Sequence, residues 1–119
     1  MFGEILKEKR MNARLTLREF AGRINISHGY LSDLENEKVA PPSETVILDM
    51  ARVLAVNKNE LLKAAEKVDP EVSEYVAHEP RAADFLRMAK EQNFDNGDWE
   101  KLSQLAKIAG LGKQEEEKK

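Results

Sequence analysis

The chain has 119 residues, a formal charge of −3, no cysteine and only 6% aromatic residues. That length holds one domain, or a small domain with an appendage. The lack of cysteine excludes disulfides, thiolate metal sites and cysteine nucleophiles, and the few aromatics leave the core to Leu, Ile, Val and Ala packed between helices.

No apolar run reaches membrane-spanning length, and the opening MFGEILKEKR lacks the apolar stretch of a signal peptide, so a cytoplasmic protein without membrane association is expected. Charge is unevenly divided. Residues 1–67 hold 11 Lys and Arg against 10 Asp and Glu, residues 68–119 hold 8 against 12, and residues 1–26 hold 6 against 3. Positive charge is therefore concentrated at the start, where it would meet the phosphates of a polyanion. The excess is small, so sequence-independent attraction of that kind is expected to be weak and easily screened by salt.

A first helix is expected from Phe2 to Ala13, with Phe2, Ile5, Leu6 and Met11 inward and Lys7, Lys9, Arg10 and Arg14 around that stripe. Thr16 and Glu19 have the spacing of a capping box, opening a second helix whose Leu17, Phe20, Ala21 and Ile24 recur at helical intervals. Asn25, which enters the left-handed region at little expense, ends it. Ile26 fills the corner, Ser27 caps a third helix, and Leu31 and Leu34 turn that helix inward. Small Ala21 lets the second and third helices cross closely. This is a helix-turn-helix. A plain helical hairpin would carry long Lys and Glu on the outer face of its second helix. Here that face carries Ser27, His28, Gly29, Ser32 and Asp33, short and polar, where a docking helix meets base edges.

After Asn36-Glu37-Lys38-Val39-Ala40, Pro41-Pro42 stiffens the chain and Ser43 is expected to cap a fourth helix, Glu44 to Leu54, burying Val46, Ile47, Met50, Ala51 and Leu54. Glu37 reads as an ordinary loop residue. Asn57 and Glu60 have the spacing of another capping box, before a fifth helix through Leu61, Leu62, Ala65 and Val68. Asp69-Pro70 marks a boundary. Pro70 and Pro80 each open a short helix. Phe85, Leu86 and Ala89 form a narrow apolar stripe near Val76, and Asp95 with Asp98 caps a last helix. That helix has a wide apolar face, Trp99, Leu102, Leu105, Ala106, Ile108 and Ala109, and ends at Gly110. Residues 112–119, GKQEEEKK, are charged low-complexity sequence of the kind that stays disordered.

The stretch TLREFAGRINISHGYLSDLENEKVAPPSETVILDMARVLAVNKNELL resembles the five-helix DNA-binding domain of the Cro and phage-repressor (xenobiotic-response-element) superfamily. The likeness covers about residues 5 to 66, from Arg10 through the helix-turn-helix, the SDLENEK run and the PPS loop to NELL. Asn25 stands where that family has glycine, and Leu17 where many members carry a polar residue that holds the DNA backbone. The resemblance implies an all-α, lambda-repressor-like domain, and an ion pair between Arg10 and Glu35, with Arg10 also facing the DNA backbone.

The domains expected are 1–67 for DNA binding, 68–111 as a helical extension for dimerisation or a protein partner, and 112–119 as the tail. Ser27, His28, Gly29, Ser32 and Asp33 are the candidates for reading bases, and Arg10, Thr16, Arg18, Tyr30, Asn36 and Lys38 for holding the backbone. Three short helices bury little by themselves, and one helix-turn-helix covers one half-site, so a homodimer is expected. Phe85, Trp99 and Leu102 are its candidate contacts. The expected function is that of a sequence-specific transcriptional regulator, acting as a repressor at an inverted-repeat operator. The alternative is a protein-interaction module, such as an antitoxin or a peptidase-regulated repressor, whose C-terminal region binds a protein. No cofactor, metal or catalytic group is expected. His28 and His78 stand in no metal-ligand spacing, and neither a glycine-rich phosphate loop nor a GxSxG elbow is present.

Overall fold

A computed structural model describes residues 1–112, and the tail residues 113–119 lie outside that description. The described residues form eight α-helices and no strand: α1 (Phe2–Asn12), α2 (Leu17–Arg23), α3 (His28–Glu35), α4 (Glu44–Leu54), α5 (Lys58–Ala64), α6 (Pro70–Ala77), α7 (Pro80–Glu91) and α8 (Asn96–Ile108). The chain divides into two compact units, Met1–Tyr75 and Val76 onward.

In the first unit α1 packs on α3 and α5, α2 on α3, and α4 on α5. Their inward faces supply one core, in which Leu6, Phe20, Leu31, Ile47 and Leu61 are fully enclosed beside Leu34, Met50, Ala51 and Leu62. Each large side chain so enclosed contributes about 1.5–3 kcal/mol of transfer free energy. Val46 joins this core from its margin, only partly buried. Ala21 is buried where α2 meets α3, as the close crossing requires.

Periodicity identifies the side of a helix but not how far its cover extends. Met11 and Val68, expected inward, are both more than half exposed. Ser43 precedes α4, but its hydroxyl lies 3.1 Å from that of Thr45 and makes no cap bond. Asn57 does cap α5, accepting from the Asn59 amide at 2.8 Å. Its expected partner Glu60 instead meets Lys9 Nζ at 3.0 Å and ties α5 to α1. A long-range cation here outcompetes a local amide.

Gly3 is required by packing. A Cβ there would lie 2.3 Å from the Leu34 carbonyl oxygen and 2.7 Å from that of Glu35. The missing side chain lets the first turn of α1 close on the last carbonyls of α3.

Seven of the helices end alike, with a residue of positive φ: Arg14, Asn25, Glu37, Ala55, Glu66, Asn93 and Gly110. In each case the next amide reaches back to a carbonyl in the last helical turn, as Ile26 does to Ala21 at 3.0 Å and Val56 to Ala51 at 3.1 Å. This is the Schellman arrangement, which satisfies carbonyls that have no partner within the helix. Gly110 is the only glycine among the seven.

In the second unit Phe85, Phe94 and Trp99 meet edge to face, with ring centroids 5.3–6.3 Å apart. Asp95 and Asp98 form a complete capping box at the start of α8. Ala89 is the one buried side chain among this unit's described residues, and the apolar face of α8 has no buried member.

Gly3→Ala is expected to destabilise the first unit by about 1–3 kcal/mol, the range for overpacking against backbone that cannot retreat. Ala55→Gly is expected to stabilise it by roughly 0.5–1 kcal/mol, since relief of left-handed strain exceeds glycine's added unfolded-state entropy. Urea titrations check both: the midpoints move in opposite directions while the denaturant slope stays constant.

Candidate nucleic-acid interface

The helix-turn-helix is assembled by local bonds. Thr16 Oγ1 accepts from the Glu19 amide at 3.1 Å, and the Glu19 carboxylate accepts from the Thr16 amide at 2.8 Å. The Thr16 amide first, and its hydroxyl second, hold the Glu19 carboxyl below its ordinary value of 4.5. Asn25, at φ 59°, turns the chain out of α2. Ser27 Oγ accepts from the Tyr30 amide at 3.1 Å and starts α3.

Leu31 and Leu34 anchor one side of α3 in the core, and Glu35 anchors its end. Arg10 Nε donates to Glu35 Oε2 at 2.6 Å and Nη2 to Oε1 at 3.0 Å, a bidentate pair. Nη1 donates to the Leu15 carbonyl at 2.8 Å. The side chains are only 11% and 4% exposed. Arg10 was expected both in this pair and against the DNA backbone. Three of its five N–H donors are engaged inside the fold, so the structure contains the pair and gives Arg10 the part of a strut for α3.

The remaining sequence candidates fall around one face. Ser27, His28, Gly29 and Tyr30 are exposed at the start of α3, and Ser32 and Asp33 are half-buried one turn on. Asn36 Nδ2 donates to Ser32 Oγ at 3.4 Å, joining these two across a helical turn. Glu37, at φ 59°, reverses the chain, and the Lys38 amide closes on the Asp33 carbonyl at 2.9 Å. Lys38 is exposed just beyond the helix end, and Thr16 and Arg18 are exposed at the start of α2.

A Cβ on Gly29 would meet nothing within 4 Å, so the fold does not require glycine there. The helix α3, HGYLSDLE, contains no Lys or Arg. Two features escape the sequence: Gly3 beneath the end of α3, and Glu37, whose carboxylate receives the Met1 amino group. Glycine opposite a distant carbonyl leaves no local signal. Among the described residues no cluster of three His, Asp or Glu has the geometry to hold a metal ion, and no helix is long and apolar enough to cross a membrane.

Removing either partner of the Arg10–Glu35 pair leaves a buried charge unmatched, so Arg10→Met or Glu35→Gln is expected to lower stability by about 3–5 kcal/mol. The double variant is expected to lose less than the sum, and a double-mutant cycle measures the difference. A lowered carboxyl pKa contributes stability that is full above the unfolded value and is lost as pH falls through the folded one. Glu19→Gln is therefore expected to destabilise the protein at neutral pH, with the gap from the parent chain closing below pH 4.5 in pH-resolved thermal melts.

A family model described as a helix-turn-helix domain matches residues 1–64. Two solved structures are similar to the chain. One is the master regulator for biofilm formation SinR in complex with DNA, 29% identical, spanning 52% of this chain and 98% of that one at a TM-score of 0.49. The other is the SinR protein/SinI protein complex, 25% identical, spanning 78% and 98% at a TM-score of 0.49. No curated protein matches the chain. Matched over more than half its length, with a capped α2, a left-handed turn and an anchored α3, the chain belongs to the helix-turn-helix domain family, in the form that resembles Cro and phage repressors.

Proposed function

We propose that this DNA-binding regulator is a sequence-specific repressor that binds an inverted-repeat operator as a homodimer and occludes a promoter. The observation that carries this reading is the outward face of α3: short polar side chains on a helix anchored by the core and by Arg10. Such a helix enters the major groove with its first residues against base edges.

His28 and Ser32 donate to or accept from bases. Asp33, whose charge repels phosphate, accepts from the amino group of a cytosine or an adenine. Gly29 lets the helix backbone approach closely, and Tyr30 lays its ring on sugar with its hydroxyl toward phosphate. Thr16, Arg18, Asn36 and Lys38 hold the backbone from either end of the helix-turn-helix. Arg10 acts at one remove by fixing α3. The two tasks are separated by charge: cations flank the reading helix and are absent from it.

Selection from a random duplex pool, followed by a salt series on the winner, tests the reading. Two half-sites about 10 base pairs apart are expected, and a salt slope without any enriched sequence would overturn specific recognition. Lys38→Ala is expected to weaken all sequences alike and to reduce the salt slope by about 1, whereas His28→Ala or Ser32→Ala changes the preferred sequence. Gly29→Ala separates fold from function. It is expected to stabilise the free protein by about 1 kcal/mol through helix propensity while weakening operator binding.

A further inference from the structure

Helix α6 differs from every other helix of the first unit. Its eight residues bury no side chain, so packing does not set its direction. An isolated helix of that length is unstable in water. The chain nevertheless leaves the first unit through it, since that unit ends at Tyr75, inside α6. The direction of α6 is set at its start.

Asp69 closes that start. Its Oδ1 accepts from the Glu71 amide at 3.0 Å, the bond by which a side chain caps a helix. Its Oδ2 lies 2.7 Å from Nζ of Lys58, the first residue of α5. The Asp69 carbonyl accepts from the Val72 and Ser73 amides at 2.9 and 3.1 Å, and Pro70 fixes the backbone angle of the first helical residue. On the near side α5 closes through Glu66, at φ 57°, with the Lys67 amide on the Leu62 carbonyl at 2.8 Å. The Asp69 side chain is only 11% exposed, so water competes little for it. Its bond to Lys58 first, and the Glu71 amide second, hold its carboxyl below the ordinary value, and the same bond holds the Lys58 ammonium above its own. One carboxylate ties the start of α5 to the start of α6.

We propose that Asp69 is a positioning residue for operator spacing: with Lys58 it fixes the direction in which the chain leaves the first unit, and so selects the half-site separation a dimer can hold. Each base pair added between half-sites turns one of them about 35° around the duplex and carries it about 3.4 Å further. A stiff exit accepts one such setting, whereas a loose exit accepts several at the expense of avidity. This rests on the homodimer proposed above, with the copies joined beyond α6. The reading face of α3 has no part in it, so half-site sequence and half-site spacing separate in experiment.

Two variants separate the tie from the cap. Asp69→Asn keeps a side-chain oxygen for the Glu71 amide and loses the ion pair, and Lys58→Met loses the pair from the other side. Because the chain has no cysteine, spin labels at Arg52→Cys on α4 and Ser73→Cys on α6 read the direction of α6 without DNA. The otherwise unaltered chain is expected to give one narrow distance distribution, Asp69→Asn and Lys58→Met a broad one, and Lys58→Arg the narrow form again. Selection from a random duplex pool is expected to return the same half-site sequence for all of them. Binding by the parent chain is expected to fall about tenfold when one base pair is added between half-sites or removed, whereas Asp69→Asn and Lys58→Met lose less than about threefold. A broad distribution in the parent, or one unchanged in the variants, would overturn the joint. Broadening with the parent's spacing preference retained would overturn its part in spacing. A parent that enriches no inverted repeat would overturn the homodimer reading, and this assignment with it.

Discussion

The orientation of α3 depends on one guanidinium. α3 has eight residues, too few to be stable alone, and its outer side is turned to solvent. Its orientation is therefore borrowed. Arg10 reaches from α1 to both oxygens of Glu35 and to the carbonyl of Leu15, so that α1, the entry to α2 and the end of α3 converge on one planar group. A buried pair of this kind adds little net stability, because desolvation offsets most of the attraction. What it supplies is direction: a bidentate fork accepts its carboxylate in one plane. Gly3 completes the clamp by letting α1 backbone rest against the last α3 carbonyls.

With orientation fixed from behind, the outer face of α3 is released from structural duty. Most of its side chains are short, with Tyr30 the large exception, and its glycine has open space. A face without Lys or Arg gains little from a phosphate field. The cations nearest to it, Arg18 at the start of α2 and Lys38 just past the end of α3, lie outside it and are exposed.

Much of this was legible in the chain. Thr16 with Glu19 and Asp95 with Asp98 signal their caps at the right spacing, Asn25 signals its turn, and Leu31 and Leu34 assign the inner side of α3. These signals are local, with cause and effect within a few residues. The missed features have partners far along the chain. Glu60 looks like a cap until Lys9 is beside it, and Gly3 looks like a weak helix residue until Leu34 and Glu35 arrive. At the interface, sequence identified which side chains face outward. Of the two roles expected for Arg10, the structure contains the pair with Glu35.

The helix ends have a consequence for the chain's history. Arg14, Glu37, Ala55 and Glu66 all hold a conformation that suits glycine, and for each the codon lies a single nucleotide from one for glycine. Steps so easily reached, each relieving backbone strain, have not been taken. A chain of this kind sits above the threshold its task sets and below the optimum its backbone allows, as expected when selection removes failures without rewarding surplus. Each such step would add stability that the chain does not now hold, and only once taken would it offset a destabilising substitution elsewhere.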